Sequence, residues 1–264
     1  RITIPAPTLR SGRYCFSLSF FLARLLPLPH PELEWGGKRE KAGQEKRTTI
    51  HSMRTTSFEI DMQLEGWRLF WAHLAIKDAD TATLTARRGQ VAETARRRFS
   101  DTAAISGDPT VAALRKLFRA AGCDPTRYRP ASEALLRRLV KGGELPEISP
   151  LVDLNNCLSA ELAVPCCVMV EGSFSAPLTW RSGVEGEIYE SLRGPFNLEG
   201  KPVLFDPDGP LDTPITGNVR VKVEPDTGKA WLVAYMPASE LDLETAGNTI
   251  DRLAEGTGIK IGRS

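Results

Sequence analysis

Past Pro150 the chain breaks into short apolar or alternating runs, Leu178 to Trp180, Ile188 to Tyr189, Val203 to Phe205, Val219 to Val223 and Trp231 to Tyr235, separated by Gly, Pro and Asp clusters. Ahead of that point the patterning is mostly helical. Short runs with this punctuation suit strands of an antiparallel or mixed sheet. Helices gathered early and strands gathered late indicate an α+β domain rather than a doubly wound one, with an N-terminal helical layer packed on a mostly antiparallel or mixed sheet.

The helical half is read from propensity and capping. Thr83 to Phe99 is rich in Ala, Arg, Glu and Gln and free of Pro, a helix by propensity. Asp108-Pro109 supplies an N-cap and a first-turn proline, after which Leu114, Leu117, Phe118 and Ala121 recur at helical spacing up to Gly122. A third helix follows Pro130, buries Leu135, Leu136 and Leu139, and stops at Gly142-Gly143. A short helix is expected over about Leu151 to Leu162, with Asp153 as a candidate N-cap, and a last one over about Ser239 to Ala254. Two early strands are read from the alternation of Phe58, Ile60 and Met62 and of Trp67, Leu69 and Trp71.

Residues 1–52 do not share this patterning. The Phe16 to Leu28 run has the length of a signal-peptide apolar region, but Arg24 interrupts it and no small-residue cleavage site follows. It is too short to span a bilayer. The purine-rich codons implied by GGKREKAGQEKR, just ahead of Met53, favour an over-extended reading frame with Met53 as the native start. A single domain is therefore expected over 53–264, preceded by a non-domain extension over 1–52.

With 264 residues, 41% of them hydrophobic, the chain can bury a core of ordinary size. Its five cysteines lack metal-binding spacing, and their odd number with one adjacent pair argues against a disulfide framework. A reducing cytoplasm is the expected setting. The three histidines, His30, His51 and His73, all precede the polar segments described next, which disfavours a histidine zinc site or a Ser-His-Asp triad there. Cys157, Cys166 and Cys167 have no basic neighbour and read as core filling. Neither a Walker motif nor GxGxxG is present, and no metal or cofactor is expected.

Two segments carry the candidate site. On the helix after Pro150, Asn155, Asn156 and Ser159 lie close together, with Asn155 and Ser159 on one face. Their groups could hold an amino group, a ribose hydroxyl or a water. Further on, Asn197, Glu199, Asp206, Thr213 and Thr216 sit beside Gly-Pro and Thr-Pro turns. Ordinary turn and cap chemistry is the competing explanation for each. Charge is divided: Arg87 to Lys141 holds thirteen Lys/Arg against five Asp/Glu, and Gly142 to Ser264 nine against nineteen. The basic half could follow a phosphate backbone, although solvated helix faces explain the same charges. Phe99 and Tyr128 are its only candidate exposed aromatics, too few to indicate single-strand base reading.

The stretch SEALLRRLVKGGELPEISPLVDLNNCLSAELAVP, Ser132 to Pro165, together with GPFNLEG, VLFDPDGP, TPIT and WLVAY, resembles the B3/B4 domain of the bacterial phenylalanyl-tRNA synthetase beta subunit. It resembles still more the free-standing B3/4 domain proteins. The likeness spans roughly Met53 to Leu253 and implies a B3/B4-like α+β domain that recognises aminoacyl-tRNA ends and, in the synthetase, removes misattached tyrosine. The synthetase's threonine-asparagine pair falls on Asn155 and Asn156. Its methionine-histidine-alanine-phenylalanine-aspartate pattern is replaced here by Cys166-Cys167-Val168-Met169-Val170, and its glutamate after a glycine pair has no clear match near Gly209 to Thr213.

The leading expectation is tRNA or aminoacyl-tRNA binding, with Arg137, Arg138 and Lys141 on phosphates and, as an open extension, deacylation of mischarged tRNA in trans by a water held at Asn155, Asn156, Ser159 or Thr213. The alternative is an amino-acid or nucleoside binding protein that kept the fold without RNA. A protein-interaction module is the third reading. None involves a membrane.

Overall fold

The computed structural model describes residues 58–263; the extension expected over 1–52, the Met53 start and the apolar Phe16 to Leu28 run lie outside them. Chain order is β1 (Ile60–Met62), β2 (Trp67–Ile76), α1 (Thr81–Arg98), α2 (Ala104–Gly107), α3 (Pro109–Ala120), α4 (Ala131–Val140), α5 (Pro150–Leu162), β3 (Cys166–Val170), β4 (Leu178–Ser182), β5 (Ile188–Ser191), β6 (Gly194–Asn197), β7 (Pro202–Asp206), β8 (Gly209–Asp212), a 3-10 turn (Val219–Val221), β9 (Lys229–Pro237), α6 (Leu243–Ala254) and β10 (Ile259–Arg263). The fold is α+β, as expected.

Among the described residues the strands form two four-stranded sheets and a hairpin. One sheet runs β1-β4-β7-β8, the other β10-β2-β9-β3, and β5 pairs with β6, with a further single bridge from Ser191 to Asn218. All pairings are antiparallel except β1 with β4. β9 is the centre of the packing: Ala230 and Leu232 through Met236 are all buried. Strands read this way, without alternation, when both faces are covered. Helices α3 and α5 cover one part of the second sheet, and from the first sheet Trp180 stacks on Tyr235 at 5.0 Å and meets Trp67 edge-on at 5.2 Å.

Helix starts follow from side-chain caps. Asp80 accepts from Thr83 N at 2.9 Å, Asp108 accepts from Thr110 N at 3.1 Å ahead of Pro109, and Asp242 accepts from Thr245 N at 2.7 Å. Each satisfies an amide that has no partner within its own helix. α6 therefore begins at Leu243, later than the Ser239 expected. Asp153 is not the N-cap of α5. Ser149 holds that place, Pro150 opens the helix, and Asp153 in the first turn accepts from Ile148 N at 2.9 Å and pairs with buried Arg88 at 2.8 Å. The expected strand over Val219 to Val223 is also corrected: Asn218 Oδ1 accepts from Arg220 N at 2.9 Å, a side-chain turn that competes with extended backbone.

Among the described residues, no helix is long and apolar enough to cross a membrane.

Candidate functional site

α5 holds its polar residues against the segment that leads into β3. Ser159 Oγ donates to Val164 O at 2.8 Å, and Asn155 Nδ2 reaches Cys166 O at 3.4 Å. Between them Ala163, fully buried, adopts left-handed backbone at φ 58°. That conformation costs a non-glycine residue about 1 kcal/mol, and it turns the chain sharply from helix to strand. Asn155 Oδ1 is buried without a donor. Asn156 is 9% exposed and its carboxamide has no hydrogen-bond partner among the described residues.

The second half comes from β8 and the loop after it. Thr213 Oγ1 accepts from the amides of Ile215 and Thr216, each at 3.3 Å, and lies 3.1 Å from Tyr189 Oη. Tyr189 Oη donates to Thr216 O at 2.5 Å, so Thr216 enters through its carbonyl. Replacing Tyr189 with Phe should lower unfolding free energy by about 1 kcal/mol, the usual worth of a hydrogen bond removed from a partly buried network; chemical denaturation measures it.

Beside Thr213 stands a group that sequence reasoning missed. Asp212 is fully buried, its Oδ2 accepts from Tyr235 Oη at 2.6 Å, and its Oδ1 has no partner among the described residues. Burial raises its pKa to about 7, against the pull of the Tyr235 hydroxyl. Cys167 and Cys166 are half-exposed on β3, an edge strand, yet the protein packed around them pushes both thiols well above the ordinary range. Neither is a thiolate near neutrality. The cysteine pair thus places the α5 carboxamides and the β8 carboxyl around one short segment: Asn155 touches the Cys166 carbonyl, and Asp212 is close enough to Cys167 for each to act on the other's proton affinity.

The other expected residues do not join this cluster. Asn197 and Glu199 are exposed; Asn197 Oδ1 accepts from Glu199 N at 2.9 Å and Glu199 O accepts from Lys201 Nζ at 3.1 Å, which is turn chemistry. Asp206 is buried and takes Arg220 Nη2 at 2.8 Å and Asp208 N at 3.1 Å on one oxygen, leaving its Oδ2 without a partner. Of the three residues expected on phosphates, Arg137 is tied to buried Glu133 at 2.9 Å and to Ser106 at 3.0 Å. Arg138 and Lys141 are exposed. Phe99, expected as an exposed aromatic, is buried beneath Arg98, because it ends α1 facing the core. A surface cleft of about 610 Å³ between α6 and β10 is lined by none of these residues. Among the described residues no three His, Cys, Asp or Glu side chains are grouped to hold a metal.

Comparison with known proteins leads to the same family. No curated protein matches the sequence. A solved N-terminal fragment of the phenylalanyl-tRNA synthetase beta subunit from Pyrococcus horikoshii is similar with TM-score 0.40 and 12% identity, covering 78% of this chain and 51% of that one. This chain thus spans about half the length of that fragment. The B3/4 domain family matches residues 113–246, from α3 into α6 and across both halves of the site, and the chain belongs to it.

Proposed function

We propose that this B3/4 domain binds tRNA or aminoacyl-tRNA in the cytoplasm, taking the amino-acid-bearing end at the cluster around Cys166-Cys167. The observation that carries this is the set of polar atoms left over there: Asn155 Oδ1 and Asp212 Oδ1 are buried without partners among the described residues. Such atoms are costly unless something fills their hydrogen-bonding capacity, and the ammonium and ester of an aminoacyl group offer the matching donors and acceptor.

The internal bonds divide the labour. Ser159 and Thr213 spend their hydroxyls on backbone and act as positioning residues. Asn156 is the group left to hold the ester carbonyl or a water. If hydrolysis follows, that water attacks the ester carbon while backbone amides receive the developing oxyanion; the bond from that carbon to the ribose oxygen then breaks, and the ribose hydroxyl leaves with the proton the water gives up. Arg138 and Lys141 would lie against phosphates.

The test measures tRNA binding at several salt concentrations and deacylation over a panel of mischarged tRNAs. Asn156→Ala should weaken binding or slow deacylation by about tenfold, the scale of one lost polar contact at a buried site. Reversing Arg138 and Lys141 to Glu should weaken tRNA binding and flatten its salt dependence. Absence of both salt-dependent binding and deacylation in the wild-type chain would overturn the proposal. The tie of Arg137 to Glu133 favours a second reading, amino-acid or nucleoside binding without RNA, which predicts ligand binding indifferent to the Arg138 and Lys141 reversal.

A further inference from the structure

The loop Asp124 to Pro130, between α3 and α4, is built onto the same neighbourhood. Asp124 Oδ1 takes the Thr126 amide at 2.8 Å and Asp124 O takes the Tyr128 amide at 2.8 Å, while Arg115 reaches Thr126 Oγ1 at 3.2 Å. The turn is rigid, and it presents Arg127 and Tyr128 outward, one exposed and one half-exposed.

The β5-β6 hairpin meets this loop. The Phe196 ring stands edge-on to Tyr128 at 6.1 Å, and Lys201 Nζ lies 4.2 Å from the Tyr128 ring centre and 5.5 Å from that of Phe196. Backbone contact makes this approach close: Gly122 and Gly200 both have positive φ, and a side chain at Gly200 would come within 3.1 Å of Gly122 O. Lys201 is only 4% exposed and pairs with no carboxylate among the described residues, donating instead to Glu199 O. A nearly buried ammonium without a counter-ion leaves a field that an anion would offset. Glu199 is a carboxylate that acts on Lys201 electrostatically; Glu133, on α4, is already shared by Arg115, Arg129 and Arg137.

The Arg127 side chain makes no hydrogen bond or ion pair among the described residues; its guanidinium rests over the Tyr128 ring at 5.1 Å. It can leave the ring for a phosphate and vacate a face for a base. The rings also lead inward. Phe196 contacts Tyr189 at 6.0 Å, Tyr189 bonds Thr213, and Ala131 N, at the head of α4, donates to Pro214 O at 3.0 Å.

We propose that Arg127, Tyr128, Phe196 and Lys201 form the receiving surface for a single-stranded RNA 3′ end, with a base stacked on Tyr128 and its phosphate held between Arg127 and Lys201. This rests on the aminoacyl-tRNA reading above and names where the nucleotides next to the terminal one would lie. The physical basis is the combination of stacking, which is tolerant of sequence, with cations that rest over the Tyr128 ring, of which Arg127 is the exposed one that a base can displace.

The test uses the full chain and two fluorescent RNA hairpins, one blunt and one with an unpaired four-nucleotide 3′ overhang, followed by anisotropy across a salt series. Wild type should bind the overhang probe about tenfold more tightly, the scale of one stacked base. Tyr128→Leu and Arg127→Glu should each erase that preference while leaving the blunt probe within about twofold, and Arg127→Glu should flatten the overhang salt slope by about 0.7, one phosphate contact on a single strand. Lys260→Glu, on β10, should change neither. Arg127 is exposed, so its reversal tests the surface even if Tyr128→Leu unfolds. Retention of the preference in Arg127→Glu, or equal binding of both probes by wild type, overturns the proposal while leaving tRNA binding intact. If neither probe and no tRNA binds, both proposals fall together.

Discussion

Replacing Glu133 with Gln should lower the unfolding free energy by about 3 kcal/mol, the lower end for breaking a buried ion pair. Glu133 has no solvent exposure; its carboxylate accepts from Arg115 Nη1 at 2.9 Å and Arg137 Nε at 2.9 Å, and Arg129 Nε adds an ion pair at 3.4 Å without a hydrogen bond. Without it three guanidiniums face one another around an uncharged amide. Their outer ends reach solvent, with side-chain exposures of 16%, 26% and 39% for Arg115, Arg137 and Arg129, and that screening keeps the effect at the lower end of the range. The surface pair Arg97 with Glu93, on one face of α1 at 2.7 Å, is 67% and 63% exposed, so Glu93→Gln should cost only a few tenths of a kcal/mol. Denaturant titration of both variants separates the cases. A Glu133→Gln loss no larger than that of Glu93→Gln would mean that the three arginines are stabilised by solvent rather than by the carboxylate.

Residues whose partners lie within a few positions were legible in the sequence, and those whose partners lie far away were not. Asp108 before Pro109 and Gly122 after the last apolar residue of α3 are local signals, and that helix runs between them. The polar pair Asn155 and Asn156 stood out because a helix brings neighbours together at fixed offsets. Asn197 and Glu199 were equally prominent, and their spacing of two was the mark of a turn. β3, β6, β8 and β10 carried no strand signal. GPFN and GPLD begin with Gly-Pro, which reads as a turn, and CCVMV does not alternate, because β3 is a sheet edge whose residues are buried unevenly.

Asp212 shows the limit most clearly. Its partner Tyr235 is 23 residues onward on another sheet, so its burial follows from sheet packing rather than from neighbours in sequence. Phe196 and Tyr128 meet for the same reason, across 68 positions of chain that the Gly122 and Gly200 contact closes. The segments VLFDPDGP and TPIT flank Asp212 without including it, and Thr213 and Thr216, beside Pro214, are the more conspicuous polar residues there.

That carboxyl sets the other large expected effect. Ionised, Asp212 would be a buried charge whose hydrogen-bond partner, the Tyr235 hydroxyl, is neutral, and burial accordingly lifts its pKa from 3.8 to about 7. Between about pH 4 and about pH 7 the folded chain holds a proton that the unfolded chain has released, so stability falls as pH rises through that window. Below it both states are protonated and the contribution is fully present; above it the loss is complete. The carboxylates that cap turns and helices, Asp80, Asp101, Asp124 and Asp242, have lowered pKa values through backbone or side-chain hydrogen bonds. Their stabilisation is present above the unfolded carboxylate range and is lost at lower pH, so it cancels when two variants are compared from pH 5 upward. Asp212→Asn keeps the shape and an acceptor for Tyr235 but cannot ionise. Its stability relative to wild type should therefore rise by about 2–3 kcal/mol between about pH 5 and about pH 8, because each tenfold difference in proton affinity between the folded and unfolded chain is worth about 1.4 kcal/mol. Denaturant midpoints at intervals across that range give the comparison. Parallel curves would show a carboxylate that is charged throughout, which would require a cation or water at its free Oδ1 and would change what the site can accept there from a donor or an acceptor to donors alone.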